Sequence, residues 1–186
     1  MSKQITVLIS GNGSNLQALI DNQNDKYSIS KVISNKSDAF GLIRAKNANI
    51  ATSVVIKTGK VSREEYDQIL VNEIGETDLV VCAGFLRILT DVLILKYRII
   101  NLHPALSNSY VGLHVIKRAY DDFLNLKINF TGVMVHYVTV DVDRGELIKE
   151  EVIPIFPHDS LESLSLRIHK AEHRLLVECV NKIFQV

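Results

Sequence analysis

The chain has 186 residues, 47% hydrophobic and 23% charged, and its 21 Lys and Arg are matched by 21 Asp and Glu. This fits one globular domain, expected over residues 1–186, that buries on the order of 70% of its unfolded surface. The balanced charge excludes a general pull toward nucleic acid or an anionic membrane. No apolar run approaches the roughly 18 residues of a membrane span, and no room for a secretory signal precedes the first strand, so a cytoplasmic protein is expected.

The first apolar run, "QITVLIS" (4–10), reads as a buried strand, and "GNGSN" then leads into a helical pattern carried by Leu16, Leu19 and Ile20. Further strand-like runs follow at "SISKVIS" (28–34), "ATSVVIK" (51–57), "DLVVCA" (78–83) and "RIINL" (98–102). Between the third and fourth, Ser62 and Glu65 have capping-box spacing and open a helix with Tyr66, Ile69, Leu70 and Ile74 on its apolar side. Strands alternating with helices predict an α/β, doubly wound, mostly parallel sheet with helices on both faces. After residue 125 the pattern changes. "INFTGVMVHYV" and "ELIKEEVIPI" flank the acidic "TVDVDRG", which predicts an antiparallel C-terminal portion. A last helix is expected after Asp159 as N-cap, with Leu161, Leu164, Ile168, Leu175, Cys179 and Ile183 on one side. Cys82 and Cys179 both fall in apolar patterns and read as reduced core thiols.

In open α/β sheets ligands bind at the carboxyl ends of the strands, and "SGNGSN", "AGFLRIL" and "NLHPALSNSYVG" all fall on that edge. The first suits a small phosphate, because glycines let backbone N–H groups crowd an anion at a helix N-terminus. A dinucleotide fingerprint fails at Leu16, a Walker loop lacks its Gly-Lys-Ser/Thr, and a purely structural tight turn stays open. In "NLH", Asn101 and His103 stand two apart on extended backbone and so share a face, where both can reach one reacting atom; a strand end capped by two polar residues is the alternative.

Two acidic or histidine-rich stretches invite metal readings. "DVDRG" alternates carboxylates, but Gly145 stands fifth where a calcium loop needs a ligand, so the loop reads as a hairpin turn from which Asp141 or Asp143 points back toward Asn101 and His103. "HKAEH" (169–173) matches a zinc pattern with too little chain left for a third ligand, and no metal is expected.

In this order, "ISGNGSNLQALI", "SNKSDAFGLIRA", "SREEYD", "AGFLRIL", "NLHPALSNSYVGLH", "GVMVHYV" and "DVDRG" closely resemble the glycinamide ribonucleotide formyltransferase family. The resemblance implies a formyltransferase-like fold and formyl transfer from 10-formyltetrahydrofolate to the amine of glycinamide ribonucleotide, without a metal. It implies Asn101, His103 and Asp143 as catalytic residues. Gly13, Ser14 and Asn15 would hold the ribonucleotide phosphate, with Glu172 near its glycinamide end. Folate contacts would come from Arg63, Leu86, Arg87, Ile88, Leu89, Asn101, Val140 and Asp141. The partners implied are small molecules, with no nucleic acid or membrane, and the chain would be a monomer or homodimer. Other readings are a catalytically weak ligand-binding relative, or a deformylase or tRNA formyltransferase using the same folate.

The chain departs from the family pattern at Ala105, Ser107, Asn108, Ser109 and Val111, losing two prolines, and at Arg144 and Glu146 after Asp143. Losing the prolines leaves that loop more conformational entropy to give up on ordering.

Overall fold

A computed structural model describes residues 2–185. The apolar runs form β1 (Lys3–Ile9), β2 (Tyr27–Ser34), β3 (Ala51–Val54), β4 (Leu79–Cys82) and β5 (Ile99–His103), linked by α1 (Ser14–Asp21), α2 (Phe40–Asn47), α3 (Arg63–Ile74) and α4 (Asp91–Ile94). Next come α5 (Val115–Leu124), the strands β6 (Phe130–Tyr137) and β7 (Leu147–Pro154), and α6 (Leu161–Ile183). All the strands belong to one sheet of order β3-β2-β1-β4-β5-β6-β7. The first five run parallel, and β6 and β7 are antiparallel to their neighbours.

Period-two alternation divides the core between the two faces. Val7, Val81, Ile100 and Val135 pack under α1, α2, α5 and α6, whereas Leu8, Val80, Cys82 and Ile99 pack under α3 and α4. Cys82 and Cys179 are buried free thiols, and burial raises their pKa values to about 12 and about 11. Among the described residues no helix is long and apolar enough to cross a membrane.

Three local expectations are corrected. The third strand stops at Val54 instead of residue 57, since Val55 turns inward while Ile56 is exposed. Ile69 lies 46% exposed on the flank of α3, whose buried face is Tyr66, Asp67, Leu70, Val71 and Ile74. The capping box of Ser62 with Glu65 forms as expected. At α6 the N-cap is Ser160 and not Asp159, because the Ser160 hydroxyl accepts the Ser163 N–H while Asp159 is turned inward to Arg167.

Candidate active site

The chain leaves β1 toward β2 and β3, then crosses back to β4, so the loops after β1 and β4 part and open a crevice at the carboxyl edge. A cavity of about 580 Å³ lies there, walled by Asn15, by Phe85 to Leu89 after β4, by Asn101 and His103 on β5, by His136 on β6, and by Asp143, His169 and Glu172.

Asn101 and His103 project from one face of β5, and the antiparallel register sets Asn101 directly opposite His136. The Asn101 Nδ2 is 3.3 Å from His136 Nε2 and 3.4 Å from Asp143 Oδ1. The other nitrogen of His136 meets the Tyr137 carbonyl at 2.8 Å, which assigns its proton to Nδ1 and leaves Nε2 to accept from Asn101. His103 has Nε2 at 2.8 Å from the Tyr110 carbonyl and Nδ1 at 3.5 Å from Asp143 Oδ2. Both neighbours are acceptors, so the surroundings complement a doubly protonated ring.

Asp143 reaches this cluster through a turn with φ 55 at its own backbone. Gly145 is required behind it, since a Cβ there would lie 1.7 Å from the Tyr137 carbonyl oxygen. The Gly112 N–H donates to Asp143 Oδ2 at 3.0 Å. Burial works to raise the Asp143 pKa, but the neighbouring His136 side chain, the Gly112 amide and His103 outweigh it and hold the carboxyl below its ordinary value. Arg144 donates to Asn108 Oδ1 at 2.8 Å, so two of the positions that depart from the family pattern tie the turn to the loop after His103.

At the opposite end, Gly13 is the N-cap of α1 with φ 75. A Cβ on Gly13 would come 2.6 Å from the Gly41 Cα, so this loop is pressed onto α2. The Gly41 N–H donates to the Gly11 carbonyl at 3.1 Å, and Arg44 donates to the Asn12 carbonyl and Oδ1 at 2.9 and 3.0 Å. The buried Glu172 accepts from Asn15 Nδ2 at 3.3 Å and from His169 Nδ1 at 2.8 Å. That bond to Glu172 raises the His169 pKa against the effect of burial.

Residues 3–180 match the family described as formyl transferase. The chain belongs to this family. It is 44% identical to phosphoribosylglycinamide formyltransferase of Dictyostelium discoideum, covering 97% of both chains. The enzyme of that name from Escherichia coli (strain K12) is 42% identical over 92% of this chain and 82% of its own. The crystal structure of phosphoribosylglycinamide formyltransferase from Campylobacter jejuni superposes with a TM-score of 0.92 at 36% identity, covering 100% of this chain and 99% of that one.

In this formyl transferase chain the fold gathers Asn15, Leu86 to Leu89, Asn101, His103, Asp143 and Glu172 around one cavity. Gly13 and Ser14 stand beside it at the start of α1 without lining it. Arg63 begins α3, and Val140 and Asp141 lie exposed in the loop after β6; these three are not on the wall. Of the two acids in the turn, Asp143 is the one that faces His103.

Sequence reasoning misses His136, which lacks any spacing signal, and reads His169 only as part of a zinc pattern. The sole signal for His136 was its place on the strand paired with β5. Among the described residues no group of three or more His, Cys, Asp or Glu is placed to hold a metal.

Proposed function

We propose that this member of the formyl transferase family transfers the formyl group of 10-formyltetrahydrofolate to the amine of glycinamide ribonucleotide, a step of de novo purine biosynthesis. The observation that carries the reading is the convergence of Asn101, His103 and Asp143 in one cavity between a glycine loop and an apolar wall. The full-length similarity to proteins named for this reaction supports it.

The acceptor phosphate lies against the N–H groups at Gly13, Ser14 and Asn15, where the start of α1 favours an anion. Glu172 faces the remainder of the acceptor. The folate lies along Leu86 to Leu89, whose Leu86 and Ile88 side chains are 58% and 50% exposed and need an apolar partner. Arg63, Val140 and Asp141, which do not line the cavity, supply further folate contacts.

The acceptor nitrogen attacks the formyl carbon, a C–N bond forms, and the carbonyl oxygen becomes an oxyanion. Asn101 Nδ2 donates to that oxygen, and His103 Nε2–H turns to it from the Tyr110 carbonyl; catalytic hydrogen bonds often differ in the free enzyme. Donors of this kind are typically worth about 3 to 4 kcal/mol each. Asp143, 3.5 Å from His103 Nδ1, orients that ring and takes the proton lost by the attacking amine, directly or through water. The oxyanion then collapses, the bond from the formyl carbon to the folate nitrogen breaks, and that nitrogen receives the proton Asp143 had taken up, directly or through water. The buried Cys82 thiol, held protonated by burial, takes no covalent part.

The proposal extends to a cytoplasmic enzyme that acts on small molecules as a monomer or homodimer. Neither a ligand-binding relative, nor a deformylase, nor a tRNA formyltransferase is favoured by any feature of the geometry. An assay with both substrates tests the reading. Stoichiometric tetrahydrofolate and N-formylglycinamide ribonucleotide are expected, whereas formate release independent of the acceptor would overturn it.

A further inference from the structure

Asp67 is 1% exposed on the sheet-facing side of α3, at a place where the helix pattern calls for an apolar residue. A carboxylate so buried carries a desolvation cost, and burial indeed raises its pKa, against the pull of Thr90 and the Arg87 charge. Its Oδ2 accepts two hydrogen bonds from one residue, the Thr90 N–H at 2.6 Å and the Thr90 hydroxyl at 2.9 Å.

Thr90 is the N-cap of α4, where a threonine hydroxyl ordinarily accepts a helix N–H, yet it makes no side-chain cap. The hydroxyl is given to Asp67 instead. Helix physics therefore leaves this bond unexplained, and departures from local rules concentrate at functional sites.

What the bond does hold is the segment from Phe85 to Thr90. At its start the Leu86 N–H donates to Ser10 Oγ at 2.8 Å. In its middle the Arg87 guanidinium lies 4.1 Å over the Tyr66 ring, and Tyr66 is the neighbour of Asp67 on α3. At its end sits Asp67. Between these ties Leu86 and Ile88 stand largely exposed, a placement that their own burial does not stabilise. An apolar wall kept open to solvent needs such external anchors.

We propose that Asp67 is a positioning residue for the folate subsite, holding the Leu86–Leu89 wall in its binding geometry through Thr90. This deepens the proposed function and rests on it.

The test compares Asp67→Asn, Thr90→Val and Thr90→Ser in the full chain. Tetrahydrofolate binding is measured anaerobically by calorimetry, steady-state kinetics are measured for both substrates, and hydrogen exchange is followed across residues 84–90. Trading the charge-assisted bonds of a buried carboxylate for the weaker ones of a neutral amide should weaken tetrahydrofolate and raise the 10-formyltetrahydrofolate KM by about tenfold in Asp67→Asn. The ribonucleotide KM should move less than about twofold, a split that general destabilisation would not produce. Exchange across 84–90 should quicken in Asp67→Asn and Thr90→Val, and Thr90→Ser, which keeps both donors, should restore the folate KM that Thr90→Val loses. Folded variants with an unchanged folate KM, or with both substrates weakened alike, would overturn the assignment. If the wild-type chain binds no tetrahydrofolate, the functional reading fails on that ground. Unchanged exchange across 84–90 would separately refute the positioning role.

Discussion

Asn101 and His136 face each other across the β5–β6 pair, with Asn101 Nδ2 3.3 Å from His136 Nε2. The imidazole thus fixes which way the amide points, and it keeps the NH₂ directed into the cavity beside Asp143.

If Asn101 and His103 act on an oxyanion present only in the transition state, removing them should lower turnover much more than substrate binding. Asn101→Ala and His103→Ala should each cost on the order of 100-fold in kcat. His136→Leu, which only frees the amide to rotate, should cost about tenfold. Single-turnover kinetics with calorimetry of each substrate check this, and near-normal kcat in Asn101→Ala or His103→Ala would reduce the pair to a polar strand end.

Asp143→Asn should fold normally, since asparagine accepts the φ of 55 found there. It should lose about 100-fold in kcat, because an amide cannot take up the proton of the attacking amine. Since the Asp143 pKa lies below its ordinary value, its interactions are fully present above about pH 4 and are lost only as pH falls through the depressed pKa. Carboxyl NMR titration should therefore show no Asp143 inflection above pH 5. An inflection there would contradict the ion-pair geometry.

Gly11 and Gly13 should respond oppositely to alanine. A methyl at Gly13 meets the Gly41 Cα at 2.6 Å and sits at φ 75, so Gly13→Ala should destabilise the whole chain. A larger residue such as valine there would confuse packing with binding. At Gly11 a Cβ meets nothing within 4 Å, so Gly11→Ala should keep its Tm while raising the ribonucleotide KM and leaving that of the folate alone. Thermal melts and paired KM values decide; equal KM changes for the two substrates would move the phosphate elsewhere.

Asp159 makes two hydrogen bonds to Arg167, at 2.6 and 2.9 Å, and accepts the Phe156 N–H and the Ser163 hydroxyl. The Arg167 hydrogen bonds, stronger than the opposing burial effect, put its pKa well below the carboxylate range. Its stabilisation is present above the unfolded value of about 3.9 and is lost as pH falls through the lower folded one. Arg167→Met should cost about 2 kcal/mol at pH 7, between exposed and buried pairs because Arg167 stays partly solvated. In urea unfolding the gap from wild type should narrow between pH 4 and pH 2, and a constant gap would show that the pair does not carry it.

The order of strands and helices was legible in the sequence because hydrophobic period and capping are local: "QITVLIS", "DLVVCA" and "RIINL" could be read without knowing their neighbours. So was the shared face of Asn101 and His103, which follows from strand geometry alone. Strand geometry left Asp141 and Asp143 open and the family resemblance named Asp143; its approach to His103, the approach of His136, and the inward turn of Asp67 in place of Ile69 were decided only in three dimensions. Each depends on pairing between segments far apart in the chain. The β5–β6 register selects the residue that faces Asn101, the close contact of Gly145 with Tyr137 aims the turn, and the demand of Thr90 for an acceptor outweighs the apolar preference of a helix face. A linear pattern holds no information on such distances, because the free energy that settles them arises only when the sheet is assembled.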